Sequence, residues 1–409
     1  YTGNPGQLLC KHVKADWAVI SSSNAVPDIK RILIIKLADH GDAILATPAI
    51  SAVRARFPNA VLDVLTTSNG AVAFGLCPVI DHIRVIDKHA FDNPRGMLHP
   101  VNALRIVNLV RRLRRSRYDT IVLLQHLTTN FGALKYRWLC CAIGAPIRAG
   151  IDNGQGDFLT HRAVDFGFGV KSVHEYNLDV VSQLGVNIAH AHPAIAVPDD
   201  ARRSAEKLLA ENNVGAEYVV IHPSVGGYSS ARNWPTERFA ALAKNIIEKR
   251  GFTVVVVGAN DAAEAARSIC ATANVVNLVG RTGYPELAAL LDAARLVIGA
   301  DSGVAHLAAA LATPTLAIFG PSNHNAWKPI GATVLSGPIA KLPAGTAFVI
   351  RSDIPCSPCF YSGYTLGRRD GCSLRTCLDR LSVDLITNIA YQIIDKTTLV
   401  KSTAIDLEH

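Results

Sequence analysis

The sequence predicts an α/β protein made of two doubly wound domains in series. Three observations carry this. From residue 31 onward, short apolar runs rich in β-branched residues alternate with stretches of helical spacing. The alternation breaks across residues 190–201, where Pro193, Pro198, Asp199 and Asp200 fall together, and then restarts. The chain has 409 residues, with 49% hydrophobic and 18% charged side chains, enough for two or three separately cored domains and too apolar for extensive disorder. The expected organisation is an aperiodic arm over residues 1–30, a first domain over 31–192 and a second over 200–350. A cysteine-bearing loop over 351–380 follows, then a closing helix over 381–396 expected to pack back on the first domain.

In order, Arg31-Ile-Leu-Ile-Ile-Lys-Leu37 reads as a buried parallel strand, because its apolar residues are continuous and not alternating. A turn with Asp39, His40, Gly41 and Asp42 leads to helical spacing over 43–57, with Pro48 near its start. Residues 60–66 read as a strand, 101–115 as an amphipathic helix and 120–124 as a further strand. In the second half, strands are expected at 218–222, 253–258, 275–278 and 296–299, with helices at 235–250, 262–272 and 284–294 between them. Residues 298–321 then compress a strand, a capped turn, a small-residue helix and another strand into one passage.

That last passage has the chemistry of a diphosphate cradle. Asp301 and Ser302 are favoured helix N-cap types, Gly303 lets a ligand approach the backbone, and the free N–H groups and helix dipole favour an anion. An ordinary capped core helix is the alternative. His306 falls one turn into this helix, where it faces a phosphate or sits as a satisfied core histidine. Upstream, the loop from His222 to Pro235 offers Ser224, Ser229 and Ser230 hydroxyls, amides at Gly226 and Gly227, and the Arg232 guanidinium for a phosphate. Its structural alternative is a long connection anchored by Trp234. Asn260 or Asp261, at a strand end, suits ribose hydroxyls. Asp42 ends the turn after the first strand, as a general base toward a sugar hydroxyl or as a plain helix cap. Asp39 and His40 are weaker candidates. Gly41 alone does not make G-x-G-x-x-G, which disfavours a dinucleotide-dependent dehydrogenase.

Nine cysteines fall into two classes. Cys10, Cys77, Cys140, Cys141 and Cys270 are scattered and read as reduced, packed thiols. Cys356, Cys359, Cys372 and Cys377 form C-x2-C-x12-C-x4-C in a Gly-, Pro-, Ser- and Arg-rich stretch. This pattern suits a structural tetrahedral metal, zinc before iron, with two disulfides as the competing reading. Four filled positions leave none open for chemistry.

Forty-one Lys and Arg against 33 Asp and Glu give a net charge of +8, which favours anionic partners. Nucleic acid is not expected, because no recognition motif is present and aromatic content is 6%. The basic run Val110-Arg-Arg-Leu-Arg-Arg-Ser-Arg117 reads first as a solvated face complementing a helix C-terminus, with anionic acceptor or membrane headgroups as the alternative. No stretch reads as a transmembrane helix, and residues 1–20 show no secretory pattern.

Taken together, Gly41-Asp42 after a strand, Arg232-Asn-Trp-Pro235, Asn277-Leu-Val-Gly280, Asp301-Ser-Gly-Val-Ala-His306 and Phe319-Gly-Pro321 resemble glycosyltransferase family 9, the ADP-heptose heptosyltransferases of lipopolysaccharide core assembly. The resemblance runs from Arg31 to about Asp395. It implies a GT-B fold, two Rossmann-like domains facing a cleft, with acceptor binding in the first and donor binding in the second. It implies inverting transfer of a sugar, heptose from ADP-heptose, without a catalytic metal and with Asp42 as base. Arg232 takes the place of a phosphate-binding lysine, and Asp301, Ser302, Gly303 and His306 match the diphosphate motif. The implied acceptor is a lipopolysaccharide-core or related glycan, and the implied location is cytoplasmic, at the inner face of the bacterial inner membrane. A protein acceptor of the autotransporter-adhesin kind and a non-catalytic sugar-nucleotide-binding protein are the alternatives. The cysteine loop is similar to that of metal-bearing members.

Overall fold

The alternation of apolar and helical stretches becomes two parallel sheets in the computed structural model, which describes residues 29–88, 91, 96 and 99–405. Residues 1–28 of the expected arm, and Cys10 with them, lie outside the described residues.

The first sheet holds β1 (Arg31–Ile35), β2 (Val61–Thr66), β3 (His82–Val85), β4 (Thr120–Leu123), β5 (Ile147–Asp152) and β6 (His161–Val164), in the order β3-β2-β1-β4-β5-β6. All pairings are parallel. β1 is buried on both faces because helices cover both. Ile32 and Ile34 point to the side holding Ile50 and Val53 of helix Thr47–Arg56 and Val180 of helix Val173–Ser182. Leu33 and Ile35 point the other way, to Ile106 and Val110 of helix Pro100–Arg115 and Leu139 of helix Asn130–Ile143. This is the two-residue period of a strand, and each such buried side chain contributes about 1.5–3 kcal/mol.

The second sheet holds β7 (Tyr218–His222), β8 (Thr253–Val256), β9 (Val276–Asn277), β10 (Leu296–Ala300), β11 (Thr315–Ile318), β12 (Thr333–Ser336) and β13 (Ala347–Arg351). Its order is β12-β13-β11-β10-β7-β8-β9, again parallel throughout. In both sheets the strand order reverses beside the first strand, between β1 and β4 and between β7 and β10. Such switch points leave a crevice beyond the strands' carboxyl ends, where ligands of open α/β sheets bind.

Three local expectations are corrected. The helical spacing over 43–57 is not one helix: His40–Ile44 and Thr47–Arg56 are separate. Pro48 lies in the first turn of the second, where its missing N–H costs nothing, and Thr47 Oγ1 donates to the Ile44 carbonyl at 2.8 Å to close the joint. The closing helix, Val383–Ile405, does not pack on the first domain. Its Ile386, Ile389 and Ile393 lie with Phe239, Leu242 and Ile246 of helix Thr236–Arg250 in the second domain's core. Trp234 Nε1 donates to the Leu381 carbonyl at 2.9 Å and Tyr391 Oη to the Asn245 carbonyl at 2.8 Å, pinning it there. Within the cysteine stretch, β14 (Phe360–Ser362) and β15 (Thr365–Gly367) form an antiparallel hairpin where only a loop was expected.

Candidate active site at the two switch points

The chain leaving β1 turns at once into helix His40–Ile44, and this short helix packs against the start of helix Gly303–Ala310, which follows β10. Two glycines make the approach possible. A Cβ on Gly41 would lie 2.8 Å from His306 Cδ2, and one on Gly303 would lie 3.3 Å from the Gly41 nitrogen. Next to Gly41, Asp42 is half-buried, and its Oδ1 is buried with no hydrogen-bond partner. Lys36 is buried at the end of β1; burial pushes its amine down from the usual lysine range, and the neighbouring Asp42 opposes that shift. Asp39, by contrast, is exposed and faces Lys88 at 3.6 Å and Asn69 at 3.1 Å. His40 stacks on Tyr284 of the second domain, ring centroids 4.9 Å apart.

On the facing side, Ser302 occupies the N-cap position of helix Gly303–Ala310 but makes no cap bond. Its hydroxyl pairs instead with His222 Nδ1 at 3.1 Å. The first N–H groups of the helix thus have no side-chain cap, which is the arrangement that receives an anion. Burial drives His222 down to about 4 against the pull of Asp261, so it is neutral at physiological pH. His306 is also held below its usual range by burial, opposed by Asp301 and Asp42, and its Nδ1 is unpartnered. Asp301 turns away from the helix to Arg232, with Nη1 to Oδ2 at 3.3 Å. Arg232 is more committed than the sequence indicates: Nη1 also donates to the Asp301 carbonyl at 3.0 Å and Nη2 to the Val225 carbonyl at 3.0 Å. Only its Nε is buried without a partner.

The remaining donor candidates spread around the exits of β7 and β8. Ser224 donates to Asp261 Oδ2 and accepts from the Gly226 amide at 3.2 Å, which shapes the loop. Ser229 donates to the Arg369 carbonyl at 2.6 Å, tying the same loop to the cysteine stretch. Ser230, Asn260 and Asp261 are exposed beyond the sheet. The structure thus gathers Asp42, Arg232, Asp301, Ser302, Gly303 and His306 at one contact between the domains. Ser224, Asn260 and Asp261 lie to one side of it.

Sequence reasoning missed a second group. After β4, Gln125 Nε2 donates to the Leu37 carbonyl at 2.9 Å, setting the next residue, His126, at the same switch point. His126 Nδ1 meets Asp165 Oδ2 at 3.1 Å, while its Nε2 is buried and unpartnered. Phe168, Trp327 and Tyr361 follow, with centroids 6.3 Å apart for Phe168–Trp327, 5.3 Å for Phe168–Tyr361 and 5.0 Å for Trp327–Tyr361. Trp327 Nε1 also has no partner. These residues come from four separate segments, so no spacing in the chain announces them.

Cys359 is half-buried and Cys377 buried, while Cys356 and Cys372 are exposed. Burial raises the Cys359 thiol, with Cys372 and Cys356 adding to it; burial raises Cys377 to about 11, with Cys359, Cys372 and Cys356 nearby. The four thiols share one electrostatic neighbourhood, although among the described residues no group of three His, Cys, Asp or Glu is drawn in to metal-ligand spacing.

The sequence matches the model of glycosyltransferase family 9 (heptosyltransferase) over residues 106–358. It is 29% identical over 325 residues to lipopolysaccharide heptosyltransferase 3 of Escherichia coli (strain K12), covering 74% of this chain and 87% of that protein. The crystal structure of the glycosyl transferase family 9 protein from Veillonella parvula DSM 2008 is similar with TM-score 0.70 at 19% identity, covering 92% of this chain and 100% of that one. The iron-containing dodecameric glycosyltransferase TibC from enterotoxigenic E. coli H10407 gives TM-score 0.51 at 14% identity, over 90% of this chain and 77% of that one. At these identities the two solved structures speak for the fold, two facing parallel-sheet α/β domains.

Proposed function

Because this chain belongs to glycosyltransferase family 9 and is a heptosyltransferase-like transferase of lipopolysaccharide biosynthesis, we propose that it moves heptose from ADP-heptose to a glycan hydroxyl with inversion. Asp42 takes the proton from the acceptor hydroxyl as that oxygen bonds to the anomeric carbon. The bond from the anomeric carbon to the diphosphate breaks on the opposite face, and ADP leaves. The uncapped N–H groups at Gly303, with Arg232 Nε and His306 beside them, stabilise the charge that grows on the departing diphosphate, and each such donor is commonly worth a few kcal/mol. Ser224, Ser229, Ser230, Asn260 and Asp261 shape the nucleoside side, Ser224 and Ser229 chiefly by holding the loop. The single observation that carries this reading is the partnerless, buried carboxylate oxygen of Asp42, next to the Gly41 that meets helix Gly303–Ala310 and within electrostatic reach of His306. Transfer assays with Asp42→Asn test it.

We assign the four cysteines to a structural metal, zinc before iron. The donor set suits either ion, and the shared neighbourhood of the thiols supports the assignment. Cys356, Cys359, Cys372 and Cys377 would hold it, bracing the loop and taking no part in the transfer.

A lipid-linked core glycan is the acceptor class we favour over a protein, because the first domain exposes apolar and basic residues that suit an anionic membrane. Val101, Leu104 and Trp138 are 51%, 60% and 40% exposed on the neighbouring helices Pro100–Arg115 and Asn130–Ile143. Exposed Arg105, Arg111, Arg112, Arg114 and Arg115 accompany them, and residues 100–117 contain no acidic side chain. Apolar and basic residues on one surface are what an anionic membrane binds. No helix among the described residues is long and apolar enough to cross a membrane. The contact in this reading is peripheral, at the inner face of the inner membrane.

A further inference from the structure

We propose that Tyr361, carried on the β14–β15 hairpin of the cysteine loop, is the aromatic wall of a pyranose subsite and positions the sugar ring beside Asp42. The proposal rests on the transfer reading above and adds to it a substrate contact from an unexpected element.

The hairpin is held from three directions. From the first domain, the Phe168 amide donates to the Gly363 carbonyl at 2.7 Å, and the Tyr364 hydroxyl donates to the Asp165 carbonyl at 3.0 Å. From the second domain, Asn323 Nδ2 donates to the Tyr361 carbonyl at 2.8 Å. On the loop after β7, Arg369 Nε donates to the Tyr228 carbonyl at 2.6 Å. The hairpin therefore straps the two domains together across the crevice that contains Asp42.

Tyr361 itself has φ +56°, in the left-handed region that a bulky side chain rarely adopts. Such a conformation persists where the surroundings over-determine it, and it clusters at ligand sites. Its ring stacks on Phe360 at 4.1 Å and lies 5.0 Å from Trp327 and 5.3 Å from Phe168. Its hydroxyl lies beside Tyr228, within electrostatic reach of Asp42 and Arg232.

The polar atoms around this aromatic group specify the ligand class. Trp327 Nε1 is a buried donor without an acceptor. His126 Nε2 is a second buried polar atom without a partner, on a ring that Asp165 holds at Nδ1. A pyranose matches all of these at once: a C–H face for the aromatic wall, and hydroxyls that both donate and accept at its rim. A nucleobase would also stack here, and unchanged ADP affinity in Tyr361→Gly separates it from a sugar ring.

The test uses the full chain with Tyr361→Gly, which suits the positive φ and removes the ring without backbone strain, and Tyr361→Phe, which keeps the ring and removes the hydroxyl. Calorimetric titration with ADP and with ADP-heptose is paired with kcat and KM for donor and acceptor. Tyr361→Gly should bind ADP within about twofold of the wild type, while kcat/KM for transfer falls on the order of 10- to 100-fold, as expected when a reacting ring loses its positioning wall. A loss seen only in ADP-heptose binding or donor KM assigns the ring to the donor sugar; one seen only in acceptor KM assigns it to the acceptor sugar. Tyr361→Phe should lose less than Tyr361→Gly. Normal transfer by Tyr361→Gly, or equal loss of ADP and ADP-heptose affinity, overturns the wall and leaves a structural strap. A wild-type chain that transfers from no nucleotide sugar overturns the transfer reading and this wall with it.

Discussion

Gly41→Ala tests the contact between the two domains directly. The added Cβ would meet His306 Cδ2 at 2.8 Å and the Gly303 Cα at 3.3 Å, with no left-handed φ at Gly41 to complicate the outcome. The first of these is about 0.6 Å short of ordinary van der Waals contact. His306 is buried, so it cannot swing out into solvent. Either the short helix His40–Ile44 rises from helix Gly303–Ala310 or the two domains part slightly, and both relief routes move Asp42 away from the uncapped helix end. A displacement of this size costs up to about 100-fold in a positioned reaction, and overpacking costs about 1–3 kcal/mol of stability. The expected result is a 10- to 100-fold fall in kcat, with ADP affinity changed less than about fivefold because the helix amides stay in place. Steady-state transfer kinetics with ADP titration by calorimetry make the measurement. Wild-type kcat in a folded Gly41→Ala enzyme would show that the domains do not meet at Gly41 during turnover.

Further outcomes follow from the same geometry. His40, His174, His222, His306 and His324 are all pushed below the usual histidine range by burial, His222 and His324 to about 4. Each folded pKa lies below its unfolded value, so the unfolded chain binds more protons as acidity rises. Stability is full above about pH 6.5 and lost as pH falls toward 4, each fully buried neutral histidine contributing up to about 1.4 kcal/mol per pH unit. A flat melting temperature between pH 7 and 4.5 would contradict this. Elemental analysis of the purified chain should find about one zinc or iron ion per molecule, lost in Cys359→Ser; a metal-free chain with two disulfides would refute the assignment. Vesicles containing phosphatidylglycerol should bind the chain in a salt-sensitive manner, and Arg111→Glu, Arg112→Glu and Arg115→Glu together should weaken that binding on the order of 100-fold. Unchanged binding would move the membrane contact elsewhere.

The central strands and their helices were legible because continuous burial writes itself into continuous apolar runs, as in β1, β7 and β10. Edge strands were not: His82-Ile-Arg-Val85 and His161-Arg-Ala-Val164 are half-polar and carry no such run. The break at Leu45–Ala46 was hidden because the helical spacing over 43–57 runs through it without interruption, with Pro48 near its start. The destination of the closing helix was misread because an apolar stripe does not name its partner; Trp234 and Phe239 decide it through tertiary packing. At the site, Asp42 and the passage through His306 were legible from turn chemistry after strands. Arg232 was legible as a cation but not as one engaged with Asp301 and Val225. Tyr361 and the His126–Asp165 pair depend on loops that meet only in the folded chain; the aromatic Phe360-Tyr361 placed directly after Cys359 was the one available signal.

Single-turnover transfer by Asp42→Asn, measured beside ADP binding on the same preparation, bears on the account most directly. The expected result is a fall of at least about 1,000-fold in the transfer rate with ADP affinity within about twofold of the wild type, since the substitution keeps the shape and removes the proton acceptor. Transfer at more than about a tenth of the wild-type rate would show that another group accepts the proton.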